Sequence, residues 1–254
     1  MTAGFVEFEF DLPDALLSSL VRIFDYMEGA PLIAANVEEL PDAQGVYQLV
    51  LDGQIVYVGK TDGEAGLRKR LSRHSFTILH RQNLDPTKVH FKAVRVYVFT
   101  AIDLETQLIR HYGAKTPVAW NHSGFGSNDP GRNRDDTDLK PEGFDAIYPV
   151  DLDQPINVDL TNGTPLPAII TAMRSAVPYY FRTEAAAPRS RAPHPDIENS
   201  KFQGETLKNP TMRVAVAALL ASLPKGWQAT ALAGRVILYR EARDYRFGTT
   251  IGKS

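Results

Sequence analysis

The sequence predicts an α/β (α+β) protein: a small mixed or antiparallel three-stranded sheet flanked by helices, with an N-terminal helix before it and a C-terminal α+β extension after it. Three observations carry this. Residues 45–60 hold two short runs rich in β-branched and aromatic residues on either side of Asp52-Gly53, a hairpin signal. Residues 89–99 alternate strongly between apolar and polar side chains and supply the third strand. Leu16, Leu17, Leu20, Val21, Phe24 and Met27 recur at helical spacing, and similar stripes follow near residues 67–80 and 103–112.

Taken in order, residues 5–10 alternate apolar and acidic and predict a short strand with one wet face. Asp11-Leu12-Pro13-Asp14 starts a helix that runs to about Met27, and residues 31–41 connect it to the hairpin. The hairpin opens with Gly45-Val46-Tyr47 and closes with Tyr57-Val58-Gly59. A two-residue Asp52-Gly53 loop without a bulge sets Tyr57 opposite Gln48 and the two tyrosines on opposite faces. A three-residue loop, Leu51 to Gly53 with Gly53 left-handed in a bulge, sets Tyr47 across from Tyr57. Tyrosines serving one site therefore predict the bulged loop.

A glycine-rich turn over residues 61–66 leads into the helix at 67–80. Thr100 to Asp103 reads as a capping box, with Asp in place of the usual Glu, for a helix over 103–112 that ends at Gly113. Residues 117–136 read as a long ordered loop. Residues 150–168 are polar and punctuated by proline, and 185–195 read as an exposed or mobile connector. A helix over 212–223 and a hairpin around Gly234 close the chain, with a basic tail. The organisation expected is an N-terminal arm (1–40), a core (41–155) and an extension (156–254).

With 254 residues and 43% hydrophobic content the chain can bury a full core. The absence of cysteine excludes disulfides, zinc–thiolate sites and cysteine nucleophiles. No apolar run is long enough to span a membrane and no secretory signal pattern opens the chain, so cytoplasmic residence and no membrane partner are expected. A net charge of -2 means that any nucleic-acid contact must come from local basic surfaces.

Two features carry chemistry by their spacing. Arg70 and His74 lie one helical turn apart and share a face, so together they can reach one phosphate or form a solvated basic face. Glu105 shares its helix face with Leu108, Ile109 and Tyr112. An acid on an inward stripe is costly unless it is paired with a buried cation or binds a metal.

Gly45-Val46-Tyr47, Tyr57-Val58-Gly59-Lys60, then Leu67-x-x-Arg70-Leu71-x-x-His74, then Glu105 and Asn121 in this order resemble the motifs of the GIY-YIG nucleases. Val46 and Val58 stand where that family has isoleucines, and the turn after Lys60 is lengthened. Trp120-Asn121, Gly124-Phe125-Gly126, Asp129-Pro130-Gly131, Arg132 and Phe144-Asp145 to Pro149 are similar to the type II restriction endonucleases built on that fold. The resemblance covers roughly residues 31–155.

The resemblance implies Mg²⁺-dependent, sequence-specific cleavage of double-stranded DNA by phosphodiester hydrolysis, with Mn²⁺ able to substitute. It implies Tyr47 as general base, Lys60 depressing the pKa of Tyr47, and Arg70, His74 and Tyr57 as donors to the phosphate. Glu105 would hold the metal, and Asn121 would fix a water or the phosphate. A homodimer on a short GC-rich palindrome is expected, since a twofold protein matches a twofold site. Arg68, Arg73, Asn128, Arg132, Asn133 and Arg134 are the candidate DNA contacts, with the basic tail. A bacterial restriction system would add a cognate DNA methyltransferase that is not a stable subunit. Two other readings stay open: a GIY-YIG nuclease of repair or of a mobile element, and a DNA-binding module with a dead site.

Overall fold

The computed structural model describes residues 4–61, 64–97, 103–126 and 129–254. The chain is mixed α+β with two separate β-sheets. It forms two compact units. One runs through Ser75 and resumes over Pro86–His122; the other comprises Phe76–Asp85 and Ser123–Ser254. Among the described residues no helix is long and apolar enough to cross a membrane.

In the first unit Asp11 caps α1 (Leu12–Tyr26), its carboxylate accepting from Asp14 N at 2.9 Å. Its stripe buries Leu20 and Phe24 against Val46, Val58, Leu104, Leu108 and Val118. The sheet has four strands: β1 (Ala30–Pro31), β2 (Gly45–Leu51), β3 (Gln54–Thr61) and β4 (Val89–Arg95), ordered β1-β4-β2-β3 and antiparallel throughout. The fourth strand corrects the expected three, because two residues are too few to show alternation. A short α2 (Ala34–Glu38) occupies part of the stretch read as a plain connection. Residues 5–10 are not a strand: Phe5, Val6, Phe8 and Phe10 are exposed and pair with no strand among the described residues.

The hairpin loop is a tight two-residue turn, with Leu51 paired to Gln54, Asp52 at φ 50° and Gly53 at φ 77°. This corrects the expected three-residue loop. The bulge lies further down, where Leu49 pairs with Tyr57 but Val50 pairs with Ile55, leaving Val56 as the extra residue. Tyr47 therefore stands across from Gly59, not from Tyr57. The one-residue shift nevertheless returns both tyrosines to the same face, as diagonal neighbours.

α3 (Leu67–Leu79) begins in the first unit, whereas α4 (Leu104–Gly113) lies within it. The N-cap of α4 is Asp103 itself, accepting from Thr106 N at 3.4 Å. That corrects the proposed box, whose Thr100 lies outside the described residues.

In the second unit β5 (Tyr180–Thr183), β6 (Gln228–Leu232), β7 (Arg235–Tyr239) and β8 (Gly248–Lys253) form a mixed sheet, β5-β7-β6-β8, in which only β5–β7 is parallel. It packs with α6 (Leu166–Ser175) and α8 (Met212–Ala221) around Ile170, Met173, Phe181, Val216, Leu219 and Trp227. Residues 150–168 are part of this core. Ile156, Val158 and Leu160 are buried, and bridges join Pro155 to Thr211 and Leu160 to Leu207. α5 (Phe144–Ile147) and α7 (Pro195–Glu198) are single turns. Residues 185–193 are a largely exposed loop, in line with the exposed alternative of the reading, and an Ala185–Pro193 bridge closes its base.

Candidate active site

The site grows from the glycines at the two ends of the hairpin. A Cβ on Gly59 would lie 2.5 Å from Tyr47 Oη, 2.6 Å from Cζ and 2.8 Å from Tyr57 Cε1. Only glycine lets both phenol rings lie over the strand at that point. At Gly45 a Cβ would run into Val94 O and sit 2.8 Å from Leu67 Cδ1, so the first glycine seats the start of α3. Gly45 N also donates to the buried Thr61 Oγ1 at 3.1 Å.

Over this platform Tyr47, Tyr57 and His74 form an aromatic triangle, with centroid separations of 6.0, 5.6 and 5.4 Å. Tyr47 is fully buried and its hydroxyl is the hub: His74 Nε2 lies 2.8 Å away, and Arg70 Nε donates to it at 3.2 Å. Spacing by one helical turn delivers Arg70 and His74 to the same oxygen. Burial pushes the His74 pKa down to about 3, with the Arg70 and Arg73 charges adding to the effect, so the imidazole is neutral at ordinary pH. Burial likewise raises the pKa of Tyr47; Tyr57 adds to the rise, and Arg70 opposes it. Desolvation works against the Arg70 cation, but its contacts with Tyr47 and Tyr57 outweigh it and raise its pKa.

Lys60 does not have the place expected of it. It pairs with Val46, one residue off the Tyr47–Gly59 pair, so its side chain leaves the opposite face of the sheet. There Lys60 Nζ meets Asp103 Oδ1 at 3.0 Å, an exposed ion pair. Bonds from Thr106 and Lys60 hold the Asp103 carboxyl down at about 2. The cation that lowers the pKa of Tyr47 is Arg70, and its effect is outweighed by burial.

Glu105, in the first turn of α4, is half-buried and makes no ion pair among the described residues. Burial raises its pKa, Lys60, Arg70 and His122 pull it back, and Asp103 adds to the rise. The structural alternative, a paired buried arginine, is therefore not what faces Glu105. Among the described residues no group of three or more His, Cys, Asp or Glu gathers as a metal cage. A lone desolvated carboxylate fits an ion that keeps most of its water, such as Mg²⁺.

Asn121 lies at the outer edge of β3. Its Oδ1 accepts from Val58 N and its Nδ2 donates to Val58 O, both at 2.9 Å, while Trp120 N donates to Val56 O at 2.7 Å. The asparagine amide is thus tied to the strand backbone.

Of the proposed DNA contacts in the first unit, Arg68 and Arg73 are exposed on α3, and Arg68 Nε is bound to Leu40 O at 2.7 Å. Asn128 lies outside the described residues. In the second unit Arg132 is engaged internally: it bonds to Glu184, lies 3.8 Å from Glu241 and stacks 4.1 Å over the Tyr239 ring. Asn133 and Arg134 are exposed on a 3₁₀ turn, and the Arg134 carbonyl accepts from Arg235 at 2.8 Å.

Sequence reasoning missed Asp103 and His122, which flank Glu105 electrostatically, and Thr61, which ties the hairpin's ends together. Asp103 carried a signal, since an N-cap aspartate directly precedes the helix. No family model matches the chain, and no curated protein matches it significantly.

Proposed function

We propose that the chain is a metal-dependent endonuclease of the GIY-YIG type, cleaving double-stranded DNA by phosphodiester hydrolysis in the manner of a type II restriction enzyme. One observation carries the reading: Arg70 and His74 of α3 converge on the Tyr47 phenol oxygen, with the Tyr57 ring of the other hairpin strand beside them and Arg70 also in electrostatic reach of Glu105. A hairpin built for packing alone has no need of this arrangement.

In the reaction, water attacks phosphorus, one P–O ester bond breaks, and the attacking water loses a proton. Tyr47 can serve as base only after its own proton has moved, and burial opposes a free phenolate. His74 Nε2, 2.8 Å away, orients the phenol, but its depressed pKa makes it a weak base, so loss of the Tyr47 proton rests on the Arg70 guanidinium, which steadies the phenolate oxygen and then the phosphate. Lys60, on the other face, tunes Asp103 and Glu105 instead of Tyr47. Glu105 would hold Mg²⁺ or Mn²⁺, which when bound supplies Lewis-acid stabilisation of charge on oxygen. Asn121, tied to Val58, positions the edge of β3 and so the tyrosines beside it.

Twofold, sequence-specific cutting of a GC-rich palindrome by a homodimer is part of the same reading, as is residence in a bacterial cytoplasm beside a methyltransferase. Incubation of plasmid DNA with the protein and Mg²⁺ tests it: discrete fragments support restriction, smears or structure-dependent nicks support a repair-type nuclease, and intact plasmid refutes both. Glu105→Ala should abolish cleavage while duplex binding persists; unchanged cleavage would remove the assigned role of Glu105.

A further inference from the structure

The second unit matches most of its arginines to acids. Arg81 faces Asp145, Arg182 faces Asp129 and Asp135, Arg235 faces Asp135, and Arg213, Arg243 and Arg246 face Asp153, Asp136 and Asp138. Arg134, Arg174, Arg189 and Arg191 break the pattern, having no carboxylate partner among the described residues.

Arg174 is the telling one. Its guanidinium is fixed at two points, Nε to Phe181 O at 2.9 Å and a terminal nitrogen to Thr183 Oγ1 at 2.8 Å, and both partners are neutral. Burial pushes its pKa down with no acid to offset it. Arg174 is nevertheless an exposed residue, so a guanidinium held in place without a counter-charge is presented to an anion that docks there.

A depression of about 320 Å³ lies beside it, lined by Arg174, Arg191, Thr171, Thr183, Ser190 and Glu184 among others. Glu184 is the one acid in that lining, and it is already bonded to Arg132. The rim is preformed. Ala186 N bonds to Ala192 O, Ser190 N to Ala187 O, and Ser190 Oγ accepts from Ala192 N, each at 3.0 Å. Arg189 is held at φ 65° at the tip of this loop and is exposed.

We propose that this depression, between α6, the end of β5 and the 185–193 loop, is a phosphate-binding subsite occupied by a backbone phosphate of duplex DNA, an assignment that rests on the nuclease reading. Arg174 and Arg191 supply charge, the Ser190 hydroxyl, which accepts from Ala192 N, supplies a neutral donor, and Arg189 reaches a neighbouring phosphate. The contact carries affinity and register, not base identity.

The test is fluorescence anisotropy of a labelled duplex of about 20 base pairs on the full chain without divalent metal, across a salt series, comparing wild type with R174Q/R191Q and R174K/R191K. The glutamine pair should weaken binding about tenfold at about 100 mM salt and lower the log–log salt slope by about one. The lysine pair should restore most of the slope, which separates lost charge from lost folding. Wild-type affinity and slope in R174Q/R191Q would overturn the subsite. If inorganic phosphate or a mononucleotide binds in a variant-sensitive way while duplex affinity does not change, the assignment to DNA is overturned. Plasmid cleavage by the wild type, measured alongside, keeps the two ideas apart. Cleavage with an unaffected R174Q/R191Q removes only the subsite, whereas a wild type that neither binds nor cuts duplex removes both.

Discussion

Replacing Gly59 by alanine adds one methyl group under two tyrosine rings, and the expected damage follows from the distances. The new carbon would stand 2.5 Å from Tyr47 Oη and 2.8 Å from Tyr57 Cε1, where carbon contacts normally need about 3.5 Å or more. Tyr47 cannot swing aside cheaply, because its hydroxyl is held by His74 and Arg70 and its ring is fully buried. Overpacking of this kind costs about 1–3 kcal/mol, and losing the hydroxyl's bonds adds about 1 kcal/mol each. A total near 3–5 kcal/mol lowers the melting temperature of a chain of this size by roughly 6–20 °C. Displacing the phenol oxygen by about 1 Å should cost on the order of 100-fold in Mg²⁺-dependent cleavage. Gly53→Ala is the control: it strains a left-handed turn residue by about 1 kcal/mol but meets nothing within 4 Å, so cleavage should persist. A G59A protein that melts and cuts like wild type would refute the packing argument for the Tyr-Val-Gly end of the hairpin.

Tyr47→Phe should keep the fold within about 1–3 kcal/mol of wild type, the cost of losing the hydroxyl's bonds to His74 and Arg70, yet reduce cleavage by about 10²–10⁴-fold in a single-turnover assay. His74 makes stability pH-dependent. Its folded pKa of about 3 lies below the ordinary 6.5, so the unfolded chain binds the extra proton between them. That contribution is complete above about pH 6.5 and falls by up to about 1.4 kcal/mol per unit as pH drops toward 3; urea unfolding at pH 7 and pH 5 should show the loss in wild type and its absence in His74→Gln. In the second unit, Asp135→Asn leaves Arg182 and Arg235 without their shared carboxylate, and calorimetry should register a loss of about 3–5 kcal/mol.

The parts of the fold that the sequence made legible are those where one local pattern had one structural meaning. Asp11 and Pro13 start α1, the Asp52-Gly53 turn joins two β-branched runs, and the 3.6-residue stripe of α3 puts Arg70 and His74 together. The loop length was misjudged because both registers satisfy the same residues. The choice depends on a bulge at Val56, and nothing at that valine marks it. The family resemblance gives Lys60 to Tyr47, yet adjacent strand residues point to opposite faces, and that rule sends Lys60 to Asp103. Ile156, Val158 and Leu160 do alternate at strand spacing, but prolines around them hid a core-forming segment behind an apparent linker. The pairing of Arg182 and Arg235 with Asp135 had no local signal at all, since residues far apart in sequence meet only in the folded sheet.

Asn121 also finishes the outer edge of the first sheet. Its amide makes to Val58 the same two hydrogen bonds that a residue of another strand would make, one accepted and one donated. With Trp120 N on Val56 O, it terminates the sheet as a mock strand of two residues. These bonds cover Val56 O and both backbone groups of Val58 in the middle of the outer edge of β3, where another chain would otherwise pair. Aspartate at 121 would set an acceptor against the Val58 carbonyl, reopening that edge.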